Sequence, residues 1–195
     1  GDGWWYEPKW DGFRAIAFVD GALSALQSRN GKPLERYFPE LAFPEGRYVA
    51  DGEIVIPNAD RGQEFGALQQ RIHPAASRIE RLSHEMPAVF VAFDLLASGD
   101  EVLMDRPHAE RRALLEALAG DAVRLTPGTA DREEAAAWLA GAGEGVVAKR
   151  ADAPYRPGER TGMVKVKRVR TFDCVVVGWR PGKAGEDTVG SLILG

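Results

Sequence analysis

Hydrophobic residues recur along this chain in short runs that alternate with polar residues or end at turn residues. Such runs are typical of β-strands, and here they predict strands at 14–19, 23–27, 48–49, 53–56, 89–93, 146–148, 164–167 and 174–179. Segments with a helical pattern predict helices at 64–72, 107–118 and 131–140. Asp20-Gly21 is typical of a tight hairpin turn, so we expect the sheet to begin antiparallel.

The helices do not alternate regularly with the strands, so the pattern predicts an α+β fold with mostly antiparallel sheets and flanking helices. Asp131 and Glu134 have the spacing of a capping box, and Gly141 is placed to end the same helix. A new valine-rich strand begins after residue 173, which predicts a domain boundary: residues 1–171 form one domain, and residues 172–195 begin a second, small β domain. Because residues 191–195 resemble a strand without a partner, we expect the chain to be a fragment.

Composition excludes some classes of protein. With 195 residues, 45% of them hydrophobic, the chain can bury a core, so disorder is not expected. The single cysteine, Cys174, cannot form an internal disulfide, and no segment resembles a signal peptide or a membrane span. These features predict a protein of the reducing cytoplasm that does not bind membranes.

Charge is unevenly distributed. The net charge of −4 argues against a general nucleic-acid binder. Residues 144–183, however, contain ten Lys and Arg residues against four Asp and Glu residues. This asymmetry is what a phosphate-facing region requires, although a solvated charged surface is a common cause of the same pattern.

Lys9 is the candidate nucleophile, in the stretch Tyr-Glu-Pro-Lys-Trp-Asp-Gly-Phe-Arg. A lysine attacks only as the neutral amine, so it needs nearby positive charge or burial to lower its pKa. Lys165 and Lys167 can supply that charge, because residues two apart on a strand point to the same face. Two ammonium groups on one face favour a bound anion such as a polyphosphate, but exposed strand lysines would give the same pattern.

Two carboxylates and an aromatic residue complete the candidate site. In Asp51-Gly52-Glu53 and in Glu144-Gly145, an acidic residue lies where a glycine turn is expected to lead into a buried strand, a position suited to binding a metal that accompanies phosphate. Phe93 could stack on a base. Taken alone, each of these residues is better explained by a turn or by core packing.

The order of these motifs resembles that of a known family. The chain carries Lys9-Trp10-Asp11-Gly12-Phe13-Arg14, Ser28-Arg29-Asn30-Gly31, Asp51-Gly52-Glu53, Phe93-Asp94-Leu95-Leu96, Glu144-Gly145-Val146-Val147-Ala148-Lys149 and Lys165-Val166-Lys167. This series resembles the covalent nucleotidyltransferases, and among them the bacterial ATP-dependent DNA ligases associated with end joining. The resemblance implies an ATP-grasp-like nucleotidyltransferase domain for adenylation over residues 1–171, followed by the truncated start of a β-barrel OB-fold domain over 172–195.

The resemblance also implies a chemistry and a role for each matching residue. Lys9 would attack the α-phosphate of ATP and carry AMP, which would then activate the 5′-phosphate of a nick in double-stranded DNA for sealing during repair. A divalent metal, Mg or Mn, would assist. The implied roles are Glu7 beside adenine, Arg14 and Arg29 near ribose and phosphate, Glu53 near the ribose and the metal, Phe93 stacked on the base, Glu144 on the metal, and Lys165 and Lys167 on the α-phosphate. Lys149 is a further candidate.

The partners implied by the resemblance are DNA, a fused or associated end-joining polymerase, and end-binding proteins, with the chain itself a monomer in the bacterial cytoplasm. Two departures matter. Met163 stands where relatives often have tryptophan, and most of the OB-fold domain is absent, so we expect this chain alone to react slowly with ATP. An RNA ligase or a GTP-using capping enzyme shares the lysine chemistry, and a non-catalytic nucleic-acid-binding module would need only the basic region.

Overall fold

The computed structural model describes residues 3–58, 62–63, 65–119, 123–141, 143–159, 161–168, 171, 173–183 and 185–195. Within these ranges the strands are β1 (Trp4–Pro8), β2 (Phe13–Gly21), β3 (Leu23–Ser28), β4 (Gly46–Val55), β5 (Pro57–Asn58), β6 (Gly62–Gln63), β7 (Val89–Ser98), β8 (Glu101–Val102), β9 (Arg124–Leu125), β10 (Gly145–Arg150), β11 (Met163–Lys167), β12 (Val176–Gly182) and β13 (Gly185–Leu194). The helices are α1 (Phe65–Gln70), α2 (Ala76–Glu85), α3 (His108–Leu118) and α4 (Arg132–Ala140), and a 3-10 turn spans Glu35–Tyr37.

The larger sheet has the strand order β3-β2-β4-β7-β8, with β9 pairing alongside β7. All these pairs are antiparallel except β7 with β9. A smaller antiparallel sheet has the order β1-β10-β11. The predicted α+β fold with mostly antiparallel sheets is therefore confirmed.

Alternation along β2 and β4 separates the core from the candidate site. Ala15 and Ala17 on β2, and Ala50 and Ile54 on β4, are buried in the hydrophobic core. Because successive strand residues point to opposite faces, the other face of the same strands carries the polar side chains. That face carries Arg14, Asp51 and Glu53.

Two predicted helices lie close to observed ones, whereas one helix, the strand β1 and the two-residue strands β5, β6, β8 and β9 were missed. The helix predicted at 107–118 is α3, and the helix at 131–140 is α4, where Asp131 accepts a hydrogen bond from the Glu133 N–H at 2.8 Å and Gly141 caps the end. The predicted start of α1 at Glu64 lies outside the described residues, and α1 ends at Gln70. Neither α2 nor β1 was predicted.

The prediction of a turn at Asp51-Gly52 was wrong. The predicted strands at 48–49 and 53–56 are one continuous strand, β4, which passes straight through both residues. Gly52 is required by packing across the sheet, because a Cβ there would lie 2.6 Å from the Val91 carbonyl oxygen and would overlap the Phe90 ring. Asp51 is therefore a buried strand residue and not a turn residue.

The prediction that residues 191–195 form a strand without a partner was also wrong. They belong largely to β13, which pairs antiparallel with β12 in a separate two-stranded sheet. This pair exposes several large apolar side chains: Val176, Trp179, Val189, Leu192 and Leu194. The predicted division of the chain at residues 171 and 172 stays a prediction.

Candidate active site

Lys9 lies directly after β1, where the chain leaves the smaller sheet. Its backbone N–H donates to the Gly145 carbonyl oxygen at 2.9 Å, which ties the residue to the start of β10. Its Nζ forms an ion pair with the Glu144 carboxylate, and Lys167 Nζ donates to the other oxygen of that carboxylate at 3.4 Å. The carboxylate of the predicted metal ligand Glu144 thus binds both the predicted nucleophile and one predicted phosphate-binding lysine.

The turn that follows β1 packs against the larger sheet at Gly12. A Cβ at Gly12 would lie 2.9 Å from Glu53 Cγ and would overlap the Ile54 carbonyl oxygen, so only glycine fits. The Gly12 N–H also hydrogen bonds to the Glu53 carboxylate. On the other side, Trp10 Nε1 donates to Thr126 Oγ1 at 2.8 Å. The turn therefore holds the nucleophile in a fixed place between the two sheets.

Burial and the nearby lysines favour the neutral form of Lys9, whereas its ion pair with Glu144 favours the charged form. Burial lowers the pKa of Lys9, and the positive charges of Lys167 and Lys165 lower it further, while Asp11 and Glu53 act in the opposite direction. A lower pKa increases the fraction of amine that carries a free electron pair at neutral pH. The expectation that the paired lysines of β11 supply positive charge to Lys9 agrees with this arrangement.

Glu53 is the second predicted carboxylate at the site. Burial raises the pKa of Glu53 to about 7, although Lys9, Arg14 and the Gly12 N–H oppose the rise. Both the protonated and the charged form of the carboxyl group are therefore populated near neutral pH. An additional cation close to Glu53 would favour the charged form, which is the form that binds metals.

One cavity of about 480 Å³ gathers most of the predicted site residues. Its size lies within the usual range for pockets that bind small molecules, roughly 300–1,000 Å³. It is lined by Glu7, Lys9, Arg14, Arg29, Glu53, Phe93 and Lys165. Lys167 and Glu144 do not line this cavity; Glu144 pairs with Lys9, and Lys167 pairs with Glu144. Apolar side chains, among them Val147 and Phe13, provide a surface against which a flat base can pack.

Glu7 is held in a buried charge network at the wall of the cavity. Lys149 Nζ ion-pairs with Glu7 Oε2 at 2.8 Å and donates to the Phe93 carbonyl oxygen at 2.9 Å. Arg112 and His108 approach the other oxygen of Glu7 at 3.7 Å and 3.9 Å. Burial raises the pKa of Glu7, and Lys149 counteracts this. The same Lys149 ammonium lies 5.0 Å from the centre of the Phe93 ring, so the network also supports that ring.

Sequence reasoning missed several residues of the site. Asp51 and Asp94 are buried carboxylates within apolar strands, and each pairs with an arginine, Arg14 or Arg111. A carboxylate in an apolar strand is a usable signal, because a buried charge needs a partner. Tyr155, which lines the cavity from the segment between β10 and β11, has no comparable signal in the sequence.

The carboxylates fit a metal that is shared with phosphate. Among the described residues there is no group of three or more His, Cys, Asp or Glu side chains that could hold a metal alone. Mg²⁺ in nucleotide sites is commonly bound by one or two carboxylates together with phosphate oxygens and water. Glu53 and Glu144, which both interact with Lys9, meet that requirement.

Comparison with known proteins identifies the family of this chain. A family model described as "ATP dependent DNA ligase domain" matches residues 1–167. The chain belongs to the ATP-dependent DNA ligase domain family. Members of this family include DNA ligase C2 of Mycolicibacterium smegmatis, which is 53% identical over 97% of this chain and 56% of its own length. DNA ligase C of Mycobacterium tuberculosis is 50% identical over 97% of this chain and 57% of its own length.

A solved ligase has the same fold as this chain. The structure described as mycobacterial DNA ligase D complexed with ATP and MES has a TM-score of 0.73 and 31% identity, and the match covers 98% of this chain and 62% of that chain. This chain spans a little over half the length of DNA ligase C2 and of DNA ligase C. In the described part of the chain, no helix has the length and apolar character needed to cross a membrane.

Proposed function

We propose that this chain is the adenylating part of an ATP-dependent DNA ligase, in which Lys9 becomes covalently attached to AMP. The observation that carries the proposal is the position of Lys9. Its amine lies at the edge of a nucleotide-sized cavity, is paired with Glu144, and lies next to the two lysines of β11. Family membership supports the same chemistry.

In the proposed first step, the electron pair of Lys9 Nζ attacks the α-phosphorus of ATP. A P–N bond forms, the P–O bond to the β-phosphate breaks, and its electron pair leaves with pyrophosphate, while the neutral amine gives up one proton to solvent and keeps the other as the N–H of the phosphoramidate. Lys165 and Lys167 stabilise the negative charge on the α-phosphate oxygens. Catalysis of this kind depends on positioning and on charge stabilisation.

The remaining predicted residues bind the nucleotide. Phe93 stacks on the adenine, Glu7 lies beside it, and Arg14 and Arg29 bind ribose and phosphate. Glu53 lies near the ribose, and Glu53 and Glu144 hold Mg²⁺ or Mn²⁺. A metal at this position would neutralise phosphate charge. The support is that these side chains lie around or beside a single cavity.

In the later steps, AMP passes from Lys9 to the 5′-phosphate of a DNA nick, and the adjacent 3′-hydroxyl displaces it. A second cavity of about 930 Å³ adjoins the first, and its lining is mostly basic where it is charged: Arg14, Arg29, Arg111, Lys149, Arg150, Arg156 and Lys165 against Asp94 and Glu159. This excess of positive charge supports a polyanionic substrate. The apolar side chains exposed on β12 and β13 support the view that residues 172–195 begin a larger OB-fold domain.

Partners and location belong to the same proposal. Two mycobacterial relatives carry the name DNA ligase C, and LigD of Mycobacterium bovis, named as a multifunctional non-homologous end joining protein, is 33% identical over 98% of this chain and 25% of its own length. We therefore propose that the substrate is broken or nicked double-stranded DNA. An associated polymerase, end-binding proteins, the monomeric state and the cytoplasmic location stay predictions.

The test is covalent labelling. Incubation with Mg²⁺ and ATP labelled at the α-phosphate is expected to give a labelled protein whose intact mass rises by about 329 Da, the mass of one AMP adduct on lysine. Added pyrophosphate should remove the label. The Lys9→Arg variant keeps a positive charge but lacks an attacking amine, and it should stay unlabelled. Lys183→Arg, a change in the turn between β12 and β13, is the matched control and should be labelled like the unaltered chain.

Labelling of Lys9→Arg to the level of the unaltered chain would exclude Lys9 as the nucleophile. Labelling with GTP in preference to ATP would favour a capping enzyme. If labelled protein seals nicked RNA but not nicked DNA, an RNA ligase is the better description. Absence of any adduct, together with DNA binding that does not need Lys9, would favour a non-catalytic binding module.

A further inference from the structure

The guanidinium of Arg14 is held along one edge. Its Nε and Nη2 donate to the two oxygens of Asp51 at 3.1 Å and 2.6 Å, and Nη2 also donates to Tyr155 Oη at 3.0 Å. Tyr155 Oη in turn donates to Asp51 Oδ2 at 2.8 Å. The three side chains form a closed set of hydrogen bonds, which we call the Arg14 clamp.

The clamp leaves one edge of the Arg14 guanidinium without a partner among the described residues. A guanidinium carries five N–H donors. The N–H of Nε and both N–H groups of Nη2 are used by Asp51 and Tyr155. The two N–H groups of Nη1 have no hydrogen-bond partner among the described residues, and Arg14 is 35% exposed and lines the cavity. The free edge of the guanidinium is therefore the edge available to a ligand.

Tyr155 is held in place without help from Arg14. Its backbone N–H donates to the Met104 carbonyl oxygen at 2.8 Å. The Arg111 guanidinium lies 5.9 Å from the centre of its ring, and Arg111 Nη1 donates to the nearby Ala153 carbonyl oxygen at 3.2 Å. Because its backbone and its ring are both anchored, the hydroxyl group forms a fixed point against which Arg14 is oriented.

Arg14 and Tyr155 keep their protons at neutral pH. Asp51 is completely buried, so it needs the positive charge of Arg14. The hydrogen bonds with Asp51 raise the pKa of Arg14 further above its already high value. Burial raises the pKa of Tyr155, so the phenol keeps the proton that it donates to Asp51. The direction of each hydrogen bond is thus unambiguous.

We propose that Tyr155 is a positioning residue of the nucleotide site, which acts through Arg14. Asp51 fixes the plane of the guanidinium, and Tyr155 occupies the remaining N–H of Nη2, so that only Nη1 can reach the ligand. The inference rests on the function proposed above. The guanidinium also lies 5.8 Å from the centre of the Phe93 ring, which places it on the nucleoside side of the cavity. Arg14 therefore contributes to ATP binding more than to the attack by Lys9.

The experiment measures single-turnover formation of the Lys9 adduct at increasing ATP concentration with Mg²⁺. In Tyr155→Phe, which removes only the hydroxyl group, the half-saturating ATP concentration should rise about five- to twentyfold, in line with the loss of one hydrogen bond to a charged group. The rate at saturating ATP should change less than about twofold, as expected when an interaction contributes equally to ground-state and transition-state binding. The half-saturating concentration does not depend on the amount of folded protein.

Tyr48→Phe is the matched control. Tyr48 is buried, its hydroxyl donates to the Pro44 carbonyl oxygen at 3.0 Å, and it lines neither of the two cavities described above. Its half-saturating concentration should equal that of the unaltered chain. A purely structural role for Tyr155 would lower the unfolding temperature of Tyr155→Phe without raising its half-saturating ATP concentration above that of Tyr48→Phe.

A second comparison asks whether Tyr155 acts through Arg14. In Arg14→Lys the planar fork is lost, so adding Tyr155→Phe to it should raise the half-saturating concentration by less than about twofold. Effects that multiply would show that Tyr155 acts independently, and a Tyr155→Phe variant that matches Tyr48→Phe would exclude a positioning role. If the unaltered chain forms no adduct, the proposed function itself fails. If it reacts and Tyr155→Phe behaves identically, only this inference fails.

Discussion

Replacing Lys149 with methionine tests the charge network of Glu7 at the cavity wall. Lys149 is 7% exposed and Glu7 is 3% exposed, and their charged atoms are 2.8 Å apart. Methionine has a similar length but no charge and no donor. The change leaves the Glu7 carboxylate buried with only Arg112 at 3.7 Å and His108 at 3.9 Å nearby, and it removes the hydrogen bond to the Phe93 carbonyl oxygen.

The expected loss is about 3–5 kcal/mol in the free energy of unfolding at pH 7, the usual cost of removing one partner of a buried ion pair. Because Arg112 remains close to Glu7, we expect the lower part of that range. The loss should depend on pH. Burial already raises the pKa of Glu7, and the loss of Lys149 raises it further. The folded state then binds a proton more tightly than the unfolded state does, so lowering the pH should stabilise the variant relative to the unaltered chain.

The assay is urea unfolding followed by tryptophan fluorescence at pH 7 and pH 5. The double variant Glu7→Gln with Lys149→Met removes the unpaired charge, and it should recover most of the loss at pH 7 and show little change between the two pH values. The reasoning is refuted if Lys149→Met costs less than about 1 kcal/mol at pH 7. It is also refuted if the double variant is no more stable than the single one.

Three further changes test separate features. Arg71 is fully buried and binds both oxygens of Glu40 at 2.7 Å, so Arg71→Met should cost about 3–5 kcal/mol in urea unfolding. Burial lowers the pKa of His108 to about 3, so the folded state resists protonation and stability should fall as the pH drops from 6.5 toward 3; His108→Leu should reduce that fall in a pH series of melting temperatures. Asp131→Ala removes the hydrogen bond to Glu133 N–H and should lower the free energy of unfolding by about 1 kcal/mol.

The sequence predicted the parts of the fold that depend on local pattern. The hairpin of β2 and β3 follows from Asp20-Gly21, and Gly21 has a φ of 62°, a value that favours glycine. The helix α4 follows from its cap residues. The helix α2 could also have been predicted, since Ile79 and Leu82 are three apart, are buried, and are separated by polar residues.

The strand β1 could not be predicted in the same way, because its stability comes from distant residues. It contains Glu7 and Pro8, which are both uncommon in strands. It forms because it pairs with β10, with Glu7 opposite Val147 and Pro8 opposite Val146. Pairing over such a separation in sequence cannot be predicted from a local pattern of hydrophobic and polar residues.

The candidate site likewise contains residues that short motifs predict and residues that only the folded structure identifies. Lys9, Glu53 and Glu144 lie in short motifs, so the sequence alone predicted them as site residues. Asp51 was misinterpreted, because Asp-Gly is typical of turns, whereas here the glycine is required by the Phe90 ring on the neighbouring strand. Tyr155 could be found only after its hydrogen bonds to Asp51 and Arg14 were known.

The placement of the buried charges supports a role in binding rather than in stability. A buried ion pair is seldom more stabilising than apolar residues of the same volume, because desolvation offsets most of the attraction. Two ion pairs with a buried carboxylate, Glu7 with Lys149 and Asp51 with Arg14, nevertheless line the cavity. Both place a cation beside the Phe93 ring, at 5.0 Å and 5.8 Å from its centre. Apolar replacements could fill the same space, but they could not present cationic hydrogen-bond donors to a nucleotide.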